Sequence, residues 1–210
     1  WYANMFPAWV FMSSVWVSFA ALGCVSMFTR DWLGLQHIVT PTVTHDLGKL
    51  ILALCMFWAY TLYAQVLPIW YANMPEETDY LLVRLMLPTW SWMARTVAVM
   101  CFIAPFTILL SRGIKKMRWP FAAVCFLIMT GIFLERSLLV MPGVYFGDTF
   151  PGHAFVLVNF GIWAGMFCAF IAVVGRVLAS LPPVAITDPY METHPWDQHV
   201  HSLDDAHAHH

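Results

Sequence analysis

Charge is what this 210-residue chain has least of: Asp, Glu, Lys and Arg make up 10% of it and hydrophobic residues 60%, whereas a soluble domain carries about 25% charged residues. A soluble fold is excluded, and no nucleic-acid partner is expected of so few cations. Alternation of apolar and polar residues is also missing, which excludes a membrane β-barrel. No two of Cys24, Cys55, Cys101, Cys125 and Cys168 lie within four residues of each other. Spacing that would hold an iron-sulfur cluster or structural zinc is therefore absent, and the cysteines are expected to fill the core. No histidine lies inside an apolar run: His37 and His45 belong to one face and His153 to the other, too far apart to share a haem. No metal, haem or iron-sulfur cluster is expected in this chain.

What is present is five apolar runs, 5–28, 47–70, 91–110, 119–140 and 154–178. Each holds about 20 residues or more, enough to cross about 30 Å of hydrocarbon at 1.5 Å per residue. In lipid an unpaired backbone group finds no partner, so the runs are expected to be helices and the chain an all-α integral membrane bundle over residues 1–180. It opens Trp1-Tyr2-Ala3-Asn4 without a Met or a basic leader, which predicts the interior or trimmed end of a longer polypeptide with helices upstream. After Leu181 the composition turns to Pro, Asp and His; this segment is expected to be extended against partner subunits, because Pro182, Pro183, Pro189 and Pro195 each remove a backbone donor. Its histidines lack the cysteine or carboxylate pair that would fix a metal geometry.

Five crossings put the chain's ends on opposite sides. Arg112, Lys115, Lys116 and Arg118, with Arg30, Lys49 and Arg176, fall at one face; Glu76, Glu77, Asp79 and Asp148 fall at the other, where Arg84 is the one base in a loop. The positive-inside bias makes the basic face cytoplasmic, with Trp1 outside and the His-rich tail inside.

Ionisable groups at membrane depth need a partner or a task. Glu135, Arg136 and Arg95 all lie within about 10 Å of the outer boundary. Arg95 and Glu135, on adjacent antiparallel helices, are expected to pair. Gln65 shares their layer, with His153 and Asp148 closing it and Tyr60, Tyr63, Trp70, Trp90 and Trp92 as walls. Such a pocket suits an amphiphile with a polar head and an apolar tail. The competing reading is structural: an Arg95–Glu135 clamp, with Arg136 snorkelling to headgroups. At the inner face, His45, Asp46 and Lys49 open the second helix, with Thr44 as the expected N-cap. They read either as a helix start or as a proton entrance.

The wording of the chain adds to this. Asp46-Leu47-Gly48-Lys49-Leu50, Phe57-Trp58-Ala59-Tyr60, Gln65 and the run Trp70-Tyr71-Ala72-Asn73-Met74-Pro75-Glu76-Glu77-Thr78, followed by Pro105-Phe106, Leu109-Leu110-Ser111-Arg112, Leu134-Glu135-Arg136 and Val140-Met141-Pro142, closely resemble the membrane subunits of alternative complex III. Those subunits belong to the NrfD-type, polysulfide-reductase-like family, and the resemblance, over roughly residues 45–145, is greatest to the smaller, quinone-binding subunit 2. It implies the C-terminal half of a subunit of about ten helices, in a quinol-oxidising complex of a bacterial respiratory or photosynthetic chain. It also implies partners: a larger NrfD-like paralogue, an iron-sulfur subunit and c-type cytochromes. Where the family motif has Ser before the glutamine, this chain has Ala64.

The function expected is that of a membrane subunit of a quinol:electron-acceptor oxidoreductase in the bacterial cytoplasmic membrane. Its cofactor would be menaquinol or ubiquinol, held by Gln65, Arg95, Arg136, Tyr60 and Tyr63, with Glu135, His153 and Asp148 as proton acceptors. Two alternatives are a redox-silent proton conductor or scaffold using His45, Asp46, Lys49 and Glu135, and a secondary transporter. The last is disfavoured because no span has a Gly/Pro-broken centre.

Overall fold

The computed structural model describes residues 5–144 and 153–180. Every regular element among them is helical, and five helices are long and apolar enough to cross a membrane: Phe6–Thr29, Pro41–Ala72, Trp90–Leu110, Arg118–Gly143 and Leu157–Ser180. The chain is an all-α membrane protein. In order, the elements are α1 (Phe6–Thr29), a 3₁₀ turn (Leu35–His37), α2 (Pro41–Ala72), α3 (Pro75–Leu85), α4 (Pro88–Ala98), a π-helical segment (Val99–Ile103), α5 (Ala104–Leu110), α6 (Arg112–Lys116), α7 (Arg118–Val144) and α8 (His153–Ser180). The chain divides into two units, Trp1–Gly152 and His153–His210. The second contributes α8 to the description; the tail after residue 180 and Asp148 lie outside the described residues.

Proline sets where the helices begin. Pro41, Pro75 and Pro88 each occupy the first position of α2, α3 and α4, and the residues before them, Thr40, Met74 and Leu87, are extended. The fixed φ of proline suits a first helical residue that needs no donor, and its ring pushes the preceding residue out of the helical region. The second span therefore starts at Pro41 rather than at Leu47. Its N-cap is Thr40, whose Oγ1 accepts from the Val43 amide at 3.4 Å, not Thr44, whose hydroxyl donates back to the Thr40 carbonyl at 3.0 Å. Asp46 lies beyond the first turn and is paired with Lys49 at 2.7 Å. α2 stops at Asn73, in the left-handed region at φ 48°, where asparagine is better tolerated than most residues.

Helices α1, α2, α4–α5 and α7 form a four-membered bundle in which α1 and α4–α5 each pack on both α2 and α7. Neighbours run antiparallel. Arg118, at the start of α7, donates to the Met27 carbonyl near the end of α1 at 2.9 Å, whereas Arg136, late in α7, reaches the Val10 carbonyl near the start of α1 at 3.1 Å. The interior is filled by Trp16, Trp58, Phe121, Ile51, Ile128, Leu109 and the four cysteines Cys24, Cys55, Cys101 and Cys125. The indoles of Trp16 and Trp58 lie 5.8 Å apart, and Trp16 Nε1 donates to the Ile51 carbonyl at 3.1 Å. As expected, the third and fourth spans are neighbours.

The third span carries a defect with an identifiable cause. Pro105 has no N–H for the Cys101 carbonyl four residues before it. The helix widens, so that the Ala104 amide bonds the Val99 carbonyl five residues back, and the Cys55 thiol of α2 takes the place of the missing donor, its Sγ 3.5 Å from the Cys101 oxygen. The widened turn fits against α7 only because residue 131 is glycine: a Cβ there would lie 2.7 Å from Cys101 Sγ and 3.1 Å from Met100 Cβ. Gly131→Ala is expected to destabilise the bundle by about 1–3 kcal/mol, as overpacking of a tight core does. Adding Cys101→Ala should recover part of that loss, and Gly143→Ala, where a Cβ meets nothing within 4 Å, should not reproduce it. Thermal unfolding of the detergent-solubilised variants measures all three.

Candidate functional site

The acidic end of the bundle holds one fully enclosed acid. Glu135 projects from α7 and is 2% exposed. Its Oε1 accepts from Trp58 Nε1 of α2 at 3.2 Å, and its Oε2 has no hydrogen-bond partner among the described residues. On α2 the residues at 58, 61 and 65 share one face, by the helical repeat. All three are buried, and the Gln65 Oε1 is likewise without a partner. Thr61 closes its hydroxyl onto the Trp58 carbonyl at 2.9 Å. Cys101, in the π segment, and Tyr80, on α3, are close enough to Glu135 to feel its charge.

Several expected members of this layer face elsewhere. Arg95 does not pair with Glu135: it is exposed on α4, and its Nε donates to the Ser91 carbonyl of its own helix at 3.2 Å. On a helix crossing beside α7, position 95 falls on the outward side, while Trp90, Met93 and Val97 take the inward one. Tyr60 and Tyr63 are 61% and 62% exposed, because they project from the side of α2 opposite Trp58. Trp70 and Trp92 are also exposed, and of the expected aromatic walls Trp90 alone is buried. Arg136 neither snorkels nor meets Glu135. Its Nη2 binds the Val10 carbonyl and the Ser13 hydroxyl of α1, since consecutive residues on a helix point about 100° apart. The clamp reading loses its cation by the same observations. His153 begins α8, with its side chain outside the described part.

The residue that hydropathy leaves unremarked is Arg84. It stands on α3, the short helix between the second and third spans, and is 8% exposed. Pro142 inside α7 deprives the Leu138 carbonyl of its amide donor. Arg84 supplies the replacement: Nε donates to the Leu138 carbonyl at 3.2 Å and Nη2 to the Leu139 carbonyl at 2.8 Å, while Nη1 binds the Tyr80 carbonyl at 2.9 Å. Its guanidinium also lies 3.6 Å from the centre of the Tyr80 ring. Burial pushes the Arg84 guanidinium below its usual range, and burial raises the Tyr80 phenol, with Arg84 opposing and Glu135 adding to that rise. Both shifts follow from the packing of α3 against α4, α2 and α7. A proline two residues past the end of an apolar run, with one arginine in the facing loop, is the sequence signal that points to this bond.

At the basic end, a cleft of about 440 Å³ is lined by Thr42, His45, Lys49, Leu110, Arg112, Lys115 and Lys116. Of the inner-face trio, His45 and Lys49 line this cleft, and Asp46 beside it has His45 Nδ1 at 3.7 Å and Lys49 Nζ at 2.7 Å from its Oδ1. Among the described residues, no group of three His, Cys, Asp or Glu side chains is arranged to hold a metal. No protein-family model matches the chain, and no curated protein matches it.

The Arg84 bond is separable by a mutant cycle. Arg84→Ala is expected to lower stability by about 1.5–3 kcal/mol, the usual scale for hydrogen bonds to a charged group. Pro142→Ala returns an amide to the Leu138 carbonyl, so the same Arg84→Ala change should do less harm in that background. Equal losses in both backgrounds, read from unfolding midpoints, would show that Arg84 is not replacing the proline's missing donor.

Proposed function

We propose that this chain is a membrane subunit of a quinol:electron-acceptor oxidoreductase of the alternative complex III type, and that Glu135 is its interior proton acceptor. One observation carries the reading: the Trp58–Glu135 hydrogen bond at 3.2 Å joins two of the strings on which the resemblance rests, and Gln65, from a third, shares the buried face of α2. In the proposed orientation the basic face is cytoplasmic and the Glu135 end lies toward the outside of a bacterial cytoplasmic membrane. The other subunits implied by the resemblance, an NrfD-like paralogue, an iron-sulfur protein and c-type cytochromes, supply the electron carriers.

The residues fit a quinol headgroup in their hydrogen-bonding character. Among the described residues Gln65 Oε1 and Glu135 Oε2 are two buried acceptors without a partner, and a quinol brings hydroxyl donors. When bound, it supplies two electrons and two protons. Glu135 is suited to take a proton at Oε2 while Trp58 Nε1 fixes Oε1, so that the carboxyl group does not rotate away. Gln65 is suited to orient the headgroup. Arg95, Tyr60 and Tyr63, whose side chains point outward, have no part in this version of the site.

A second reading, proton conduction without quinol, is favoured by the enclosure of Glu135. Its inner entrance at His45, Asp46 and Lys49 is weakened by the surroundings: Asp46 is engaged by Lys49, and the cleft beside it carries Arg112, Lys115 and Lys116, a positive field that repels protons.

The test is Glu135→Gln in the intact complex. Glutamine keeps the size and still offers Trp58 an acceptor, but takes no proton. Assembly is expected to survive, with quinol turnover falling by about 10²-fold or more, the usual scale for loss of a positioned base. Glu135→Ala should also impair assembly, because it opens a cavity and strands the Trp58 N–H. Quinone extracted from the purified Gln variant separates the readings: a loss of turnover with quinone retained supports a quinol site, whereas normal turnover makes Glu135 structural.

A further inference from the structure

We propose that the cleft at the basic end is a binding site for the phosphate of an anionic phospholipid, formed by Lys115 at its base and by Arg112, Lys116, Lys49 and His45 around it. The cleft is built rather than incidental. Lys115 is 5% exposed although it belongs to the short α6 at the end of the third span. Its stem lies on α2 where residue 48 is glycine: a Cβ there would approach Lys115 Cγ to 3.0 Å and Cδ to 3.2 Å. The missing side chain lets the alkyl chain lie flat and carries the ammonium into the cleft.

Among the described residues the charge there is uncompensated: Asp46 is the one acid beside these cations, and Lys49 holds it at 2.7 Å. Among the described residues no carboxylate forms an ion pair with Arg112, Lys115 or Lys116. Burial lowers the Lys115 ammonium, and Lys49 and Arg112 lower it further, as expected of a cation held among cations without an anion. A phosphate removes that repulsion. The volume, about 440 Å³, is in the range that holds a small-molecule headgroup.

The lipid is favoured over free phosphate by position. The cleft opens at the end of the spans, where Leu110, the last residue of α5 and 63% exposed, gives it an apolar flank that acyl chains can follow. Basic pockets between transmembrane helices at the headgroup level are the recurrent sites for anionic lipids. The site lies at the opposite end of the bundle from Glu135 and does not depend on the quinol reading.

The experiment is a thermal-shift titration of the detergent-solubilised full chain with phosphatidylglycerol, phosphatidylcholine or inorganic phosphate. Phosphatidylglycerol alone is expected to raise the midpoint in a saturable way. Lys116→Gln and Arg112→Gln, both at exposed positions that fold without their charge, should each weaken the apparent affinity roughly fivefold, the scale of one cation near an anionic surface. Arg95→Gln, exposed on α4 toward the opposite end of the bundle, is the charge-matched control and should leave it unchanged. Gly48→Ala, which displaces the Lys115 stem, should weaken it as well. Equal stabilisation by phosphatidylcholine, or equal affinity in the cleft and control variants, overturns the site. Stabilisation by inorganic phosphate at matching concentration overturns the lipid assignment in favour of a free anion.

Discussion

A backbone carbonyl that loses its helical donor inside hydrocarbon has no water to turn to, and leaving it unpaired costs several kcal/mol. Three prolines inside the spans, Pro68, Pro105 and Pro142, create such carbonyls in this bundle, and those of the last two are answered by side chains from a neighbouring helix. Cys55 answers Pro105 at the Cys101 oxygen, and Arg84 answers Pro142 at the Leu138 oxygen. The second bond has the larger consequence. To reach α7 with Nε and Nη2, Arg84 must bring α3 down onto the end of the bundle, and the Tyr80 ring comes with it beneath the guanidinium. The docking of α3 on the late turns of α7 is therefore a by-product of satisfying a proline-broken helix.

Burial without an ion pair among the described residues decides what Glu135 is. A carboxylate serving as a structural clamp would have a cation in contact, because the pairing is what offsets desolvation. Here the two arginines nearest in sequence or expectation are both committed elsewhere, Arg136 to Val10 and Ser13 of α1 and Arg95 to the Ser91 carbonyl. Among the described residues Glu135 keeps a single neutral donor, the Trp58 indole, and one oxygen with no partner. Removing the ion pair from the expected picture weakens the structural account of this residue more than it weakens the chemical one.

The helices were legible in the sequence because hydropathy over 20 residues is insensitive to detail. So were the basic and acidic ends and the adjacency of the third and fourth spans, since these follow from chain order and loop composition. Side-chain direction was not. Matching depth put Arg95 beside Glu135, but depth says nothing of which side of α4 position 95 occupies, and the inward side belongs to Trp90, Met93 and Val97. The same limit misplaced Tyr60 and Tyr63, which share a run with Trp58 yet project from the other side of α2. The role of Arg84 is hidden because a base in a loop looks solvated, although Pro142 just past an apolar run announces a carbonyl that needs a donor. Lys115 was read as one of four loop cations; what distinguishes it is Gly48, a contact between helices that no local pattern reveals.

The two ends of the bundle then constrain where a proton at Glu135 can go. Eight residues separate it from Gly143 at the acidic end and seventeen from Arg118 at the basic end, or about 12 Å and about 25 Å along the helix axis. The longer route ends beside Arg112, Lys115, Lys116 and Lys49, whose field raises the energy of an arriving proton, and it passes the close-packed ring of Ile128, Cys125 and Phe121, which offers no polar relay. The shorter route ends where α3, with Tyr80 and Arg84, packs against the late turns of α7. Distance, field and packing all favour exchange with the acidic end. In the proposed orientation that end faces outward, the side on which quinol oxidation at an outer site delivers its protons.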